Sequence, residues 1–246
     1  MSAAPDLPVG EDAPLFEVLR TMRAMRRLKS DPVPRELLER IVEAGTWAPS
    51  GGNLQRYSFV VVDDRAQMAA LAPLWQRIQR MYAGSMGRRR PEGMDEGSYQ
   101  RLLDALAFQA EHFAQTPAII VACYSISGVA TDLIKKAPQV TKAVTDNLDA
   151  RQTASYVLNL RRFGEMSEAA SIYPAVQNML LAARALGLGA TLTTWHLALE
   201  GEFKAVLGIP RATKTFALLP VGYPRGRFGP VRRRPAGEAI RWNRWT

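Results

Sequence analysis

The sequence predicts an α+β or α/β protein with one sheet in a helical coat. Short apolar runs alternate with longer segments of helical period. Helices outnumber strands, and helices separate the strands. The 246 residues are 47% hydrophobic and 22% charged, so they can bury a core without staples. That length suits one domain, at roughly 100–200 residues per domain.

Residues 1–13 read as a flexible lead-in, and 14–246 as a single domain. Leu15, Phe16, Leu19, Met22 and Met25 give helical spacing over 14–25. Asp31-Pro32-Val33-Pro34 is a break, and Pro34 opens the next helix. Leu37, Leu38, Ile41 and Val42 carry that helix to about Gly45–Ala48. Pro49-Ser50-Gly51-Gly52-Asn53 is a loop, and Tyr57–Val62 is a strand stopped by Asp63-Asp64. Residues 65–81 form a helix, 84–97 a loop and 99–113 a helix with Leu102, Leu103, Leu106 and Phe113 on one side. Residues 117–124 are a buried strand, followed by a long mixed stretch, 125–164, with two patchy helical segments. The clearest helix is 171–186, with Pro174 in its first turn and Gly187 as its stop. Residues 189–195 are strand or loop, and 202–207 a short helix. Residues 215–221 are a strand that Pro220 marks as an edge or strand end, and the arginine-rich tail 225–246 is extended.

Composition excludes several kinds of function. One cysteine, Cys123, leaves no internal disulfide framework, and two histidines, His112 and His196, leave little for a metal site. No apolar run reaches the ~18–20 residues that span a bilayer. The polar start is not a secretory signal, so the expected setting is cytoplasmic and reducing, without a membrane partner. The excess of 32 Lys+Arg over 23 Asp+Glu gives a net charge of +9. It suits nucleic acid, phosphorylated cofactors or acidic substrates equally.

Motifs narrow that choice. There is no P-loop and no Gly-x-Gly-x-x-Gly after a strand. Two arginine clusters remain, Arg23-Arg26-Arg27 with Lys29 and Arg232-Arg233-Arg234. Guanidinium forks bind phosphate bidentately; the plain alternative is a solvated basic face. Residues 48–55 place a hydroxyl, two amides and two glycines between helix and strand. That set suits close approach to a flat ring with polar edges, the alternative being an ordinary helix-to-strand turn.

These residues resemble the FMN-dependent nitroreductase family. The match runs through Arg23-x-x-Arg26 with Pro32-x-Pro34, Trp47–Gln55 with Phe59–Val62, Ala175–Ala183, Leu186-Gly187-Leu188-Gly189, Leu218–Pro224 and a late Arg before Pro235. Several motifs in one order make it specific, and they leave only about 65–164 uncovered. The resemblance implies an α+β fold with a central, mainly antiparallel sheet and a swapped C-terminal arm. It also implies a homodimer with FMN held by both chains and NADPH or NADH as reductant. Arg23, Arg26 and Arg233 match positions near the FMN phosphate. Pro49, Ser50, Gly51, Asn53 and Gln55 match the loop along the isoalloxazine ring. Gly189, Thr191, Thr193 and Thr194 match the stretch facing flavin N5 and O4. Ala24 stands where the family often has serine.

Because the flavin carries the chemistry, no protein acid or nucleophile is required. Thr193, Thr194 and His196 are the catalytic candidates, against fillings of a strand and a packing histidine. Residues 125–164 are a variable insertion, read as a lid or arm over the flavin or as a surface insertion without ligand contact. The leading function is ping-pong reduction of nitroaromatics, quinones or similar small aromatic substrates. Rivals on the same fold are reductive dehalogenation of a phenol and fragmentation of the flavin. Rivals of other classes are a basic nucleic-acid-binding protein and a flavin store; the leading reading has no nucleic-acid partner.

Overall fold

The computed structural model describes residues 10–85, 89–127 and 129–245, with 129–134 described as backbone only. Residues 1–9 of the lead-in and Met86, Gly87 and Arg88 of the 84–97 loop lie outside these. The elements run α1 (Leu15–Thr21), α2 (Arg35–Thr46), β1 (Tyr57–Val62), α3 (Arg65–Gly84), α4 (Glu96–Glu111), β2 (Ala118–Ser125), α5 (Val129–Asn147), α6 (Ala150–Ala185), β3 (Gly189–Ala190), α7 (Glu200–Leu207), β4 (Thr213–Gly222) and α8 (Ala236–Ala239). Among the described residues no helix is long and apolar enough to cross a membrane.

The four strands form one antiparallel sheet in the order β1-β2-β4-β3. Strand period dictates the layers, because successive side chains point to opposite faces. On β2, Ala118, Ile120, Ala122 and Tyr124 join one core with Leu38 and Ile41 of α2 and Ile172, Val176 and Met179 of α6. Ile119, Val121 and Cys123 join the other, with Met68, Leu71 and Trp75 of α3 and Phe203 of α7. Both faces of the sheet are therefore covered. Side chains fix several helix starts: Asp64 accepts from Gln67 N at 2.8 Å, Asp95 from Ser98 N at 2.8 Å, and Asp149 with Gln152 forms a capping box.

The structure corrects three expectations, on α1, α6 and Pro220, and resolves a fourth segment, 189–195. α1 stops at Thr21 rather than Met25, because Met25 N donates to Ala190 O at 3.0 Å and the chain turns to the sheet. α6 is one helix of 36 residues, so Pro174 lies in its interior rather than in a first turn. The 125–164 stretch thus becomes α5 and the first part of α6. Of 189–195 only Gly189–Ala190 is a strand, although Thr193 bridges Leu218. Finally, β4 is an interior strand running through Pro220. Leu218 N donates to Thr193 O at 2.9 Å. By strand period, Pro220 turns its donorless nitrogen to that same side, where only the two-residue β3 runs. The tail after Arg225 is irregular apart from the single turn of α8.

Candidate functional site

The loop after α1 brings the first arginines to the β3 end of the sheet. Leu28 bridges Pro224, and Lys29 N donates to Tyr223 O at 2.8 Å. Gly189 is required there for space: a Cβ would lie 2.9 Å from Met25 Cβ and 3.0 Å from Leu28 Cδ2. This close approach sets the path of the 191–194 segment against Arg26.

The result is a cavity of about 250 Å3 lined by Arg26, Trp75, Tyr82, Leu102, Leu106, Gln109, Leu192, Thr193, Thr194 and Trp195. Burial pulls the Arg26 guanidinium below its usual range, partly countered by Tyr82. Among the described residues, Arg26 forms no ion pair with a carboxylate. Thr193 Oγ1 accepts from Trp195 N at 3.3 Å, so its hydroxyl is held in place. The N–H groups of Trp75 Nε1 and Gln109 Nε2 are buried without an acceptor, as is Thr191 Oγ1 without a partner. Buried polar groups are ordinarily satisfied. Such a set, rich in donors and carrying one cation, fits an anionic, acceptor-rich ligand such as FMN.

Aromatic rings wall the cavity. Trp75 stacks on Trp195 at 5.7 Å between centroids, and Tyr82 lies 4.5 Å from Trp195. Trp75 in turn stacks on Phe113 at 4.8 Å. Beside this wall, Arg27 and Arg225 lie 5.8 and 5.1 Å from the Phe108 centroid.

Not all predicted residues meet here. Arg23 is exposed, and so is Arg233, whose Nη1 donates to Arg232 O at 2.8 Å. Their segments do approach: Val231 N donates to Arg20 O at 2.9 Å, returning the late arginines to the end of α1. The 49–55 loop lies elsewhere, tied to α6 by Gly51 N donating to Ser171 Oγ at 3.1 Å. Ser50 Oγ accepts from Gln55 N at 3.2 Å, and Gln55 Nε2 donates to Asn53 Oδ1 at 3.1 Å. Gly52, Asn53 and Gln55 have φ of 59°, 52° and 48°. Left-handed backbone at two non-glycine residues costs of order 1–3 kcal/mol each and gathers at functional loops. Pro49, Gly51, Asn53 and Gln55 are exposed.

His196 is not among the cavity-lining residues. It is fully buried, edge-on to Phe203 at 6.0 Å, with neither ring nitrogen bonded. Burial pushes its pKa down to about 4, so it is a neutral packing residue at pH 7.

Gln109, Trp75 and Tyr82 line the cavity and were not singled out by the sequence. Gln109 carried a signal: it shares a helical stripe with Leu102, Leu106 and Phe113, and a polar residue in an apolar stripe asks for a partner. Trp75 and Tyr82 carried none, since aromatic residues at helical spacing read as core.

Comparison with known proteins identifies the family and the fold. The Nitroreductase family profile matches residues 19–223, and the chain belongs to that family. It is 25% identical over 227 residues to iodotyrosine deiodinase 1 of Rattus norvegicus, covering 92% of this chain and 67% of that protein. It is 26% identical over 229 residues to an NADH dehydrogenase of Thermus thermophilus, covering 89% and 91%. Among solved structures, an oxidised iodotyrosine deiodinase bound to FMN and 3-iodo-L-tyrosine superposes with a TM-score of 0.65. That pair is 19% identical, over 94% of this chain and all of the other.

Proposed function

We propose that this chain is an FMN-dependent oxidoreductase, driven by NADH or NADPH, that reduces small aromatic acceptors such as nitroaromatics and quinones. The observation that carries this is the cavity joining Arg26, Gln109, Thr193 and Thr194, with a desolvated guanidinium and unsatisfied donors. The similarity to an NADH dehydrogenase and to an FMN-bound structure supports it.

FMN, when bound, supplies the electron transfer between nicotinamide and acceptor, in alternating half-reactions. The chain's part is to hold, orient and bias. Arg26, expected near the phosphate, lines the aromatic cavity instead; there Arg26 and Gln109 would hold the ring, and Arg26 would set fixed positive charge beside it, which favours its reduced, more negative form. Arg23 and Arg233, on segments that approach through Arg20 and Val231, would hold the phosphate. Thr193 would present a hydroxyl already fixed by Trp195 N. Thr194, exposed beside it, would contact the ring, and the buried Thr191 would support the segment.

The working unit in this proposal is a homodimer, whose second copy supplies the Pro49–Gln55 loop. Four features support that reading. The cavity of one chain is smaller than the ~300–1,000 Å3 of ordinary ligand sites. The strained loop is exposed and apart from it. The free edge of β1 borders a groove of about 600 Å3 between Arg35, Val42 and Val61. Trp242 and Trp245, 80% and 90% exposed, sit on the C-terminal segment that a swapped arm would carry. The first part of α6 exposes Val157, Leu158 and Phe163, and with α5 it would form the arm over the site.

Dehalogenation of a phenol is a second reading, favoured by the similarity to deiodinases and by the fixed Thr193 hydroxyl. A panel assay separates the two. Purified protein is mixed with NADH or NADPH and nitrobenzoate, a benzoquinone or 2-iodophenol. Oxidation of the nicotinamide with nitro or quinone compounds is expected. Iodide release as the sole turnover would favour the second reading, and no turnover would refute both.

A further inference from the structure

We infer that Arg184 is a positioning residue for the cofactor phosphate: it ties the end of α1 to the C-terminal tail and so fixes how Arg23 and Arg233 converge. This rests on the oxidoreductase reading above and adds a residue to it. Arg184 stands in the last turn of α6 and is 2% exposed. Its own chain encloses it, so a second copy cannot supply its counter-charge. Among the described residues no carboxylate forms an ion pair with it. Glu17, whose charge reaches it, is bonded to Arg20 at 2.7 Å. Arg184 Nη1 is buried without a partner.

Stability alone does not explain such a group. A buried charge without a partner is strongly disfavoured, and apolar side chains of similar volume often serve a core as well or better. What the guanidinium does is join three segments. Its Nε donates to Thr21 Oγ1 at 2.9 Å, at the end of α1. Its central carbon lies 4.2 Å from the centroid of Phe228 in the tail. The C-terminal end of α6, where it stands, favours a cation. Thr21 is two residues before Arg23, and Phe228 five before Arg233. The same two segments are tied once more, by Val231 N donating to Arg20 O at 2.9 Å. One attachment would leave them free to pivot, and the second sets their orientation. Arg23 and Arg233 are exposed, so where their side chains can meet depends on where the backbone beneath them is held.

The test uses the full chain, freed of flavin, and two ligands that differ only in the phosphate: FMN and riboflavin. Binding is read by quenching of flavin fluorescence. The parent is expected to prefer FMN. Arg184→Met should weaken FMN about tenfold or more and riboflavin less than about threefold, the scale on which outer groups that orient a binding residue act. Thr21 Oγ1 keeps its bond to Glu17 O at 2.6 Å, so this substitution orphans no polar group. Phe228→Leu removes the ring face, keeps the guanidinium, and should lower the preference for FMN in the same direction; it decides the matter if Arg184→Met does not fold. Equal weakening of both flavins, or an unchanged preference in the folded variants, would overturn the inference, because a merely structural role touches both ligands alike. A parent that binds neither flavin, or both equally, would refute the FMN reading itself and the inference with it.

Discussion

Replacing His196 by leucine should leave turnover intact and remove an acid sensitivity. The imidazole is fully buried, and its nitrogens have no partner among the described residues. Burial lowers its pKa from 6.5 to about 4, against a smaller opposing pull from Glu200. Above pH 6.5 the ring is neutral in both folded and unfolded chains. Between pH 6.5 and 4 the unfolded chain binds a proton that the folded one refuses, so stability falls as pH falls. Below about pH 4 both states are protonated and the loss levels off. Each pKa unit is worth about 1.4 kcal/mol, so the full effect is about 3 kcal/mol. Urea unfolding at pH 7.5, 5.5 and 4.5 measures it. At pH 7.5 His196→Leu should match or exceed the parent, since an unsatisfied buried polar group is gone. Its advantage should grow by about 2–3 kcal/mol by pH 4.5. Parallel pH curves would refute the burial argument. A fall in kcat beyond about 100-fold in a folded variant would return His196 to the chemistry.

Other perturbations reach the remaining links. Gly189→Ala should cost about 1–3 kcal/mol of stability by overpacking against Met25 and Leu28. It should also weaken FMN retention, read by thermal unfolding and flavin absorbance. Arg26→Met should lower the reduction potential of bound flavin, read by dye-coupled titration, because fixed positive charge is removed from the ring's surroundings. Cys123, buried and with its thiol pushed up to about 11, should react with thiol reagents only after unfolding.

The sequence made the layers legible where burial enforces period. The unbroken apolar run in 117–124 marked β2, as expected of a strand with both faces covered. Leu38 and Ile41 marked α2 because they turn to α6 and the sheet, with Leu37 and Val42 packed against the same core. Where a helix is exposed the pattern fades. The first part of α6 carries scattered apolar groups, so its continuity through Pro174 was invisible. Pro220 misled for another reason: its nitrogen faces a two-residue strand, so an interior strand tolerates it. At the site, Arg26, Thr193 and Thr194 were legible through motif order, and the fold brings them together. Gln109 was not, because helix stripes are read for apolar residues. The arginines proposed for the phosphate are over 200 positions apart, and long-range backbone bonds such as Val231 N to Arg20 O and Arg225 N to Arg27 O join their segments.

The central claim, that this fold builds an FMN site from arginines at both ends of the chain, rests on one direct measurement. Flavin content per chain is determined on the protein as purified, with FMN added to saturation, for the parent and for Arg23→Ala/Arg233→Ala. The account predicts about one FMN per chain in the parent and a colourless, folded double variant. A parent that binds no FMN, or a double variant that keeps its full flavin, would contradict it.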